Sequence, residues 1–263
     1  MSYAVVTGAS GGMGRRAAAK LAGEGWTVFG LDIREPDDTV PFRFIKTDLA
    51  DPVSVYKAYA VISEMCPWID CVVHMAGIYD LNSLVEMPDG DFVRIFEVNL
   101  FSVYRVNRAF MPLIRPGARI IITSSELAPL SPLPFTGIYG ITKSAVEKYA
   151  LSLRMELQLN GIEVIILRPG AVDTGLLDVS TKRLDDFCSG TVYYRFSSER
   201  FRKVVDSVEA RKIPPEKIAE TVIKALKAKR PSIIYSVNRN PLLLLLDALP
   251  IRLQNLIIRK ILL

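Results

Sequence analysis

The chain has little of what disulfide-stabilised and metal-binding proteins depend on. Its 263 residues include three cysteines, Cys66, Cys71 and Cys188, and a single histidine. An odd number of cysteines with no Cys-x-x-Cys pair argues against a disulfide framework and against a structural zinc site. This usage is typical of a reducing compartment, so we expect a cytoplasmic protein with no metal ion.

Long apolar runs and blocks of like charge are also missing. The leucine block Leu242–Leu246 is followed by Asp247 and Pro250, so no run is long enough to span a bilayer. No apolar leader precedes the first predicted strand, and we expect no signal peptide. The 33 basic and 28 acidic residues are mixed along the chain and give a net charge of +5. Without a basic block or interleaved aromatics, nucleic acid is not an expected partner.

The most informative feature that is present is a glycine-rich turn. It lies between the apolar run Tyr3–Val6 and the helix-forming run Arg15–Ala22. A strand, a tight turn and a helix start in this order direct backbone N–H groups and the positive helix end toward a phosphate, which predicts a dinucleotide site. Two glycine patterns fit because Gly11 and Gly12 are both present, and an ordinary strand-to-helix turn is the alternative. The predicted contacts are Thr7, Gly8, Ser10, Gly11, Gly12, Met13 and Gly14.

Short strands rich in valine and isoleucine alternate with helices along the chain. This alternation predicts an α/β fold, a Rossmann-type doubly wound parallel sheet of about seven strands with helices on both faces. We expect one domain over residues 1–240, with a substrate loop at 175–213, and an apolar segment at 241–263. The predicted strands are 3–6, 27–31, 43–47, 71–74, 119–123, 163–167 and 233–235, and the predicted helices are 12–24, 52–66, 89–113, 138–159 and 215–227.

Asp32 ends the second predicted strand, 18 residues after Gly14. A carboxylate there accepts hydrogen bonds from ribose hydroxyls and repels a 2′-phosphate, so the sequence favours NAD over NADP. Arg34 lies close by and weakens this preference, so NADP stays open. A surface aspartate that merely ends a strand is the alternative interpretation.

Tyr139 and Lys143 lie four residues apart at the start of a predicted helix, so they share one helix face. A nearby ammonium favours the phenolate and lowers the pKa of a tyrosine. Such a tyrosine exchanges a proton with a substrate hydroxyl. Among ten tyrosines this spacing also arises by chance. Its position after the predicted strand 119–123, where open α/β sheets bind ligands, favours a catalytic pair.

At this point the chain resembles the short-chain dehydrogenase/reductase family, in its compact one-domain branch of hydroxysteroid and retinol dehydrogenases. The glycine turn, the Tyr139/Lys143 pair and their order carry the resemblance, from residue 3 to about residue 236. It implies that Asn99 anchors a proton-relay water and that Ser125 hydrogen-bonds the substrate oxygen. The implied catalytic set is Asn99, Ser125, Tyr139 and Lys143, and the implied cofactor contacts add Asp32, Ile33, Asp48, Leu49, Ala76, Gly77, Tyr139, Lys143, Pro169, Gly170, Val172 and Thr174.

Two departures from the family pattern concern the site. His74 stands where the family usually has asparagine, and we interpret it as a structural residue with a buried partner rather than as a catalytic one. Ser125 lies one residue further from Tyr139 than is usual. We attribute the difference to an insertion in Glu126–Pro134 and keep Ser124 as the alternative serine.

The variable regions bear on the substrate and on partners. Aromatic side chains in 175–213, with Phe135 and Leu127, predict a large apolar pocket for a steroid, retinoid or long-chain secondary alcohol or ketone, unless they only pack the loop. The segment 250–263 fits an amphipathic helix. Packing on another subunit or on its own domain is favoured over a membrane surface. The family resemblance implies a homodimer or homotetramer. The two faces of this helix are Arg252, Asn255 and Arg259, and Leu253, Leu256, Ile257 and Ile261.

Two other functions fit parts of the sequence. A non-catalytic dinucleotide-binding sensor or scaffold needs the same fold but not the four catalytic residues together. An epimerase or dehydratase of the family's extended branch fits one of the two glycine patterns. This alternative is disfavoured, because that branch carries an additional substrate domain, which we do not expect here.

Overall fold

The computed structural model describes residues 1–209 and 211–263, with the side chains of 175–181, 208 and 209 left undescribed. Its centre is a parallel sheet of seven strands in the order β3-β2-β1-β4-β5-β6-β7. Every pairing between neighbouring strands is parallel. The strands are β1 Tyr3–Thr7, β2 Thr27–Asp32, β3 Arg43–Lys46, β4 Ile69–His74, β5 Ile114–Thr123, β6 Glu163–Pro169 and β7 Ile234–Val237.

Helices connect the strands and cover both faces of the sheet. A π-helical turn, Glu97–Phe101, separates α3 from α4, where the sequence predicted one helix over 89–113. The helices of the described residues are α1 Gly12–Gly23, α2 Pro52–Ser63, α3 Asp89–Phe96, α4 Ser102–Phe110, α5 Gly137–Leu157, α6 Gly175–Gly190, α7 Arg195–Glu209, α8 Glu216–Lys227, α9 Pro241–Asp247 and α10 Ile251–Leu262.

The core consists of two apolar layers, one on each face of the sheet. Val5 and Val72 contribute to the layer that also contains Val106 of α4, whereas Val6 and Val73 contribute to the layer on the other face. Successive side chains of a strand point to opposite faces, so strands buried on both faces need continuous apolar sequence. The predicted fold class is confirmed.

Arg119 of β5 caps a helix that is distant in sequence. Its guanidinium donates hydrogen bonds to the carbonyl oxygens of Ala225, Leu226 and Ala228, at 2.7, 2.5 and 2.6 Å, and it is paired with Glu163 at 3.1 Å. The last carbonyls of a helix have no partner within the helix. The end of α8 is therefore stabilised by a side chain from the middle of the sheet.

The predicted loop 175–213 is largely helical, since it forms α6 and α7. These helices pack with α10 around a small apolar cluster beside the sheet. Apolar residues three or four apart, such as Leu184 with Phe187 and Phe201 with Val205, place one face of each helix in this cluster. Its buried members are Leu81, Leu184, Phe187, Phe201, Val205 and Leu262.

The predicted helix over 250–263 is present as α10, and it packs on its own domain through Ile258 and Leu262, while the buried Gln254 donates to the Asp247 and Leu249 carbonyl oxygens. The apolar side chains Leu253 and Leu256, which the sequence placed on one face, stay exposed. No helix in the described part of the chain is long and apolar enough to cross a membrane. The division into a domain over 1–240 and a segment over 241–263 stays a prediction.

Candidate active site

A cleft lies at the carboxyl ends of β4, β5 and β6. Open α/β sheets bind ligands at this edge. Its lining is mostly apolar and includes Leu133 and Leu243, with polar groups grouped on one wall. That wall contains Ser124, Ser125, Glu126, Tyr139 and Lys143.

Tyr139 and Lys143 lie together on the first two turns of α5, as their spacing predicted. The Lys143 Nζ lies 5.7 Å from the centre of the Tyr139 ring and donates a hydrogen bond to the Thr123 carbonyl oxygen at 3.1 Å. The Tyr79 ring packs edge-on against Tyr139, with 4.5 Å between the ring centres. The Tyr79 ring thus holds the phenol in place, and the Thr123 carbonyl oxygen holds the ammonium.

Burial dominates the ionisation of this pair. It lowers the pKa of Lys143 to about 8 and raises the pKa of Tyr139 to about 12, against a smaller lowering by a hydrogen bond with Ser125. The expected lowering of the tyrosine pKa by the lysine is therefore not what the structure shows. Burial disfavours the charged form of either group, and the negative charge of Glu126 raises the pKa of Tyr139 further.

The two adjacent serines at the end of β5 have different environments. Ser125 hydrogen-bonds with the Tyr139 side chain, and its Oγ accepts a hydrogen bond from the Leu127 N–H at 3.2 Å. The Ser124 Oγ instead donates to Glu147 Oε2 at 3.0 Å, and Glu147 is paired with Arg168. Ser125, and not Ser124, is the serine whose hydroxyl meets the tyrosine.

Asn99 is buried in the π-helical turn. Its Nδ2 donates to the Ile78 carbonyl oxygen at 2.9 Å and to the Thr142 hydroxyl at 3.1 Å, while its Oδ1 accepts from the Ile78 N–H at 2.8 Å. A Cβ on Gly77 would lie 3.3 Å from Asn99 Oδ1 and 3.5 Å from Lys143 Nζ. Glycine at 77 therefore keeps the space between the asparagine and the lysine clear.

The glycine turn needs three of its four glycines for close approach. A Cβ on Gly8 would lie 2.8 Å from the Ala76 nitrogen, one on Gly12 2.8 Å from the Thr174 side chain, and one on Gly14 2.1 Å from the Gly8 carbonyl oxygen. Gly8 and Gly12 also have positive φ, where glycine is favoured. A Cβ on Gly11 would meet only the Arg34 side chain, at 3.7 Å. The structure thus selects the pattern Gly-x-x-x-Gly-x-Gly.

Asp32 lies at the end of β2 beside this turn. Its carboxylate accepts hydrogen bonds from the Ser10 N–H at 3.0 Å and the Arg34 N–H at 3.1 Å, and the Ser10 hydroxyl donates to the Arg34 carbonyl oxygen. Ile33 is 55% exposed at the same edge. The acidic Asp32 and the basic Arg34 therefore both lie at the predicted ribose end of the site.

Four of the other predicted contacts have structural partners of their own. The Thr7 Oγ1 accepts from the N–H groups of Met75 and Ala76, at 3.1 and 3.2 Å, which joins β1 to the segment after β4. Asp48 Oδ1 accepts from the Ala50 N–H at 2.9 Å, and Leu49 is buried in the core. These residues shape the edge of the sheet around the cleft.

The remaining predicted contacts follow β6 or line the cleft. Pro169, Gly170, Val172 and Thr174 line it together with Met13 of α1. A Cβ on Gly170 would lie 2.0 Å from the Asn238 carbonyl oxygen, so this backbone also approaches the segment after β7 closely.

His74 lies at the end of β4, away from this polar wall. It is 3% exposed, and its Nε2 lies 2.8 Å from Asn107 Oδ1. Burial lowers its pKa to about 4, so the ring is neutral at pH 7 and donates to the asparagine oxygen. The contact fits the structural role that the sequence indicated.

Several residues that line the cleft were absent from the predicted site, among them Glu126 and Leu243. Glu126 follows Ser125, and Leu243 belongs to α9. No spacing signal in the sequence identifies either residue. Leu243 reaches the cleft only because the tertiary fold brings α9 there. Tyr79 was not singled out either, since a lone tyrosine in a loop carries no periodicity.

These residues fit a bound dinucleotide. Glycine at 8, 12 and 14 lets the turn pack closely against Ala76, Thr174 and its own backbone, so the turn forms a tight glycine cradle. The turn opens onto α1, whose first N–H groups suit a phosphate. The Asp32 carboxylate lies beside one end of the turn, and Thr174 meets Gly12 at the other.

Comparisons with known proteins agree on one family. The family model described as short chain dehydrogenase matches residues 2–185. The 3-ketodihydrosphingosine reductase of Bacteroides thetaiotaomicron is 26% identical over 229 residues, covering 86% of this chain and 84% of that protein. The NADPH-dependent 3-dehydrocapnine reductase of Ornithobacterium rhinotracheale is 27% identical over 255 residues, covering 90% and 88%.

A solved structure shares the fold. The short chain dehydrogenase/reductase from Burkholderia phymatum, in complex with NAD, superimposes with a TM-score of 0.74 at 24% identity, covering 89% of this chain and 88% of that one. The family model spans most of the sequence, and the seven-stranded sheet is shared. This chain therefore belongs to the short-chain dehydrogenase family of NAD(P)-dependent oxidoreductases.

Proposed function

We propose that the protein interconverts a hydrophobic secondary alcohol and its ketone, with NAD(H) as the favoured cofactor. The observation that carries this proposal is the grouping of Ser125, Tyr139 and Lys143 on the polar wall of an otherwise apolar cleft. Asn99 lies behind this wall, and the glycine cradle lies at its edge. A sensor or scaffold needs the cradle but not the proton-transfer group.

The chain's own residues supply the proton chemistry. Tyr139, protonated at pH 7, is in the state required to donate a proton to a ketone oxygen, and Ser125 donates a hydrogen bond to the same oxygen as negative charge develops. The mostly protonated Lys143 stabilises the phenolate that remains, and Asn99 holds a water that links the lysine to solvent. When bound, the nicotinamide dinucleotide supplies or accepts the hydride at the substrate carbon.

The preference for NAD is supported by Asp32. Its carboxylate lies where a ribose hydroxyl would be bound, and it would repel a 2′-phosphate. Arg34 opposes this preference, because its guanidinium lies near Gly11 at the same edge. We expect NAD to be favoured by a modest factor, and Asp32→Asn to reduce the ratio of kcat/KM with NAD to that with NADP.

The apolar substrate is supported by the lining of the cleft. Ile78, Leu133, Val204, Val205 and Leu243 surround the polar wall, and fully polar substrates would lose hydration there without gaining partners. Steroid, retinoid and long-chain alcohols fit this description. One relative is named for 3-ketodihydrosphingosine, so this compound is included among the test substrates.

The test is reduced-nicotinamide absorbance with NAD(H) and then NADP(H) against steroid, retinoid, long-chain and small polar substrates. We expect turnover of apolar compounds, and Tyr139→Phe to lower kcat by about 10²- to 10⁴-fold while the dinucleotide still binds. Dinucleotide binding without Tyr139-dependent turnover of any compound would support the sensor instead. Activity on small sugars alone would contradict the apolar substrate.

We also propose a peripheral contact of residues 241–263 with an anionic membrane surface. Exposed apolar side chains of α9 and α10 occur with Arg252, Arg259 and Lys260, whereas Asp247 is the one acid in the segment. A two-fold contact with a second copy would bring the same basic residues together. The exposed apolar side chains are Leu242, Leu245, Ile251, Leu253, Leu256, Ile261 and Leu263.

Flotation with vesicles tests this contact. The full chain should float with vesicles containing anionic lipid and much less with neutral ones, and a variant carrying Leu253→Gln and Leu256→Gln should remain at the bottom. Equal flotation of the variant would contradict the proposal, and a shift from dimer to monomer in that variant would assign the face to a subunit contact. The expected cytoplasmic location stays a prediction.

A homodimer or homotetramer is the assembly that family membership suggests. Exposed apolar side chains on α3 and α4, among them Val93 and Tyr104, support a subunit contact on that side of the molecule. Sedimentation equilibrium of the full chain measures the assembly, and a monomer at all concentrations would contradict it.

A further inference from the structure

Glu126 is an acid on the wall of an apolar cleft. It directly follows Ser125, lines the same cleft as Ser125 and Tyr139, and is 7% exposed. Neither the proton transfer nor the dinucleotide cradle uses this side chain. The Glu126 carboxyl group is near enough to Tyr139 for its charge to raise the pKa of the phenol, but it is not the group that exchanges the proton.

Three carboxylates are buried among the described residues, and two of them have an arginine partner. Asp80 is paired with Arg183, and Glu147 is paired with Arg168. Glu126 takes part in no ion pair within the described part of the chain. Burying a carboxylate without a counter-ion is costly, so most buried acids are paired.

The contacts of Glu126 are with backbone and leave it without a cation. Its Oε2 accepts a hydrogen bond from the Asn240 N–H at 2.6 Å. Its Oε1 lies 2.9 Å from where a Cβ of Gly170 would stand, so the missing side chain at 170 makes room for it. Burial raises the pKa of Glu126, which is the expected response of a carboxyl that lacks a close positive charge.

Among the described residues that line the cleft, Lys143 is the one other charged side chain. Lys143 donates its hydrogen bond to the Thr123 carbonyl oxygen, and no ion pair joins it to Glu126 in the described part of the chain. The charge of Arg239 lowers the pKa of Glu126 from a distance, without an ion pair within 4 Å. A cation that enters the cleft with the substrate would meet Glu126 in a site of low dielectric, where the pairing is stronger than in water.

We propose that Glu126 binds an ammonium group of the substrate, which makes the substrate a hydrophobic amino alcohol or amino ketone. Because Glu126 and Ser125 both line the cleft, we place the amine near the carbon that reacts and take the adjacent carbon as the position to test. The apolar lining of the cleft holds the remaining chain. This inference rests on the proposed function and adds to it the charge and position of one substrate group.

The activity test compares matched ketones. A long-chain α-amino ketone carries the ammonium at pH 7, and its N-acetyl derivative has the same skeleton without the charge. We expect kcat/KM to be at least tenfold higher for the ammonium form, chiefly through KM. Glu126→Gln should reduce this ratio at least tenfold, since the amide oxygen can still accept the Asn240 N–H but no longer carries a charge.

Asp247→Asn provides the matched control. It also removes one negative charge, and its Oδ1 accepts a hydrogen bond from the Ser131 N–H outside the cleft wall. We expect Asp247→Asn to leave the ratio of kcat/KM between the two ketones unchanged. If Glu126→Gln lowers kcat/KM equally for both ketones, Glu126 only anchors Asn240 and the proposal is overturned. An unchanged kcat/KM for both ketones would overturn it as well.

A binding measurement separates this inference from the proposed reaction. Calorimetry with dodecylamine and with dodecanol reports on the amine subsite without any turnover. The protein should bind the amine more tightly than the alcohol, and Glu126→Gln should remove the difference. If the difference is present while no ketone is reduced, the proposed reaction fails and the subsite stands; if ketones are reduced but the difference is absent, the subsite fails.

Discussion

Neighbouring residues can have unrelated tasks, as Ser124 and Ser125 show. Ser125 meets the Tyr139 phenol in the cleft, whereas Ser124 donates to the buried Glu147–Arg168 pair. The sequence favoured Ser125 and kept Ser124 as the alternative, because Ser125 lies one residue further from Tyr139 than is usual in the family. Only the tertiary contacts distinguish their environments.

Replacing each serine separately should give opposite results. Ser125→Ala is expected to lower kcat by about 10²- to 10³-fold with little change in stability, because a donor to the developing oxyanion is lost. Ser124→Ala should lower the free energy of unfolding by about 1–3 kcal/mol, because one Glu147 oxygen loses a donor, with a much smaller effect on kcat. Steady-state kinetics and urea unfolding measure both. The reverse pattern would assign catalysis to Ser124.

His74 should contribute a pH-dependent part of the stability. Its folded pKa of about 4 lies below the ordinary value of 6.5, so the folded state favours the neutral ring. The stabilisation is complete above pH 6.5 and is lost as the pH falls toward 4, by about 3 kcal/mol in total. Urea unfolding between pH 4 and 7 should show a shallower decline for His74→Asn. An unchanged slope would contradict this account.

At the scale of elements, the turn between β1 and α1 depends on space that only some of its glycines provide. Two glycine patterns fit the sequence equally, since a pattern records residue types and not distances. The Gly14 Cα faces the Gly8 carbonyl oxygen, which belongs to the backbone and cannot move aside. Gly11 has no such neighbour.

Alanine at these two positions should therefore differ in cost. Gly14→Ala is expected to destabilise the protein by about 3 kcal/mol or to prevent folding, because the added methyl overlaps the turn. Gly11→Ala should change stability by no more than about 0.5 kcal/mol. Urea unfolding without added dinucleotide measures the difference independently of cofactor binding. Similar stabilities for the two variants would contradict the geometry.

The sequence predicted the strands better than the helices. Runs such as Val164–Leu167 are short and apolar at every position, a pattern that is typical of a strand buried on both faces. The segment 175–213 was predicted as a loop because it is a long, mixed stretch that does not fit the alternation of strands and helices. The spacing of Leu184 with Phe187 and of Phe201 with Val205 is nevertheless helical. The π-helical turn around Asn99 was not predicted because one extra residue per turn leaves no mark on a short apolar pattern.

On the scale of the whole molecule, distant parts of the chain join around the cleft. Leu262 of α10 inserts between side chains of α6 and α7, and Asn240 binds Glu126 on the cleft wall. The helices that cover the cleft are thus held in place by a segment that follows the last strand. Such coupling is invisible in the sequence, where the partners are separated by more than 50 residues.

Shortening Leu262 should loosen α7 without unfolding the sheet. Leu262→Ala leaves a cavity in the small cluster, which is expected to cost about 2–4 kcal/mol locally. Hydrogen exchange of the α7 amides should quicken while the α1 amides keep their protection. Leu263→Ala is the control, because this neighbouring side chain is 69% exposed. Equal effects on α1 and α7 would show that the cluster is not a separate unit.

The Arg119 cap on α8 has a consequence for the order in which the protein folds. The three carbonyls at the end of α8 receive their hydrogen bonds from a strand more than a hundred residues earlier. A contact over such a sequence separation forms late, because the entropy of closing the intervening loop must be overcome first. The last turn of α8 therefore becomes ordered after β5 has joined its neighbours, and its protection should appear in the slowest kinetic phase of refolding.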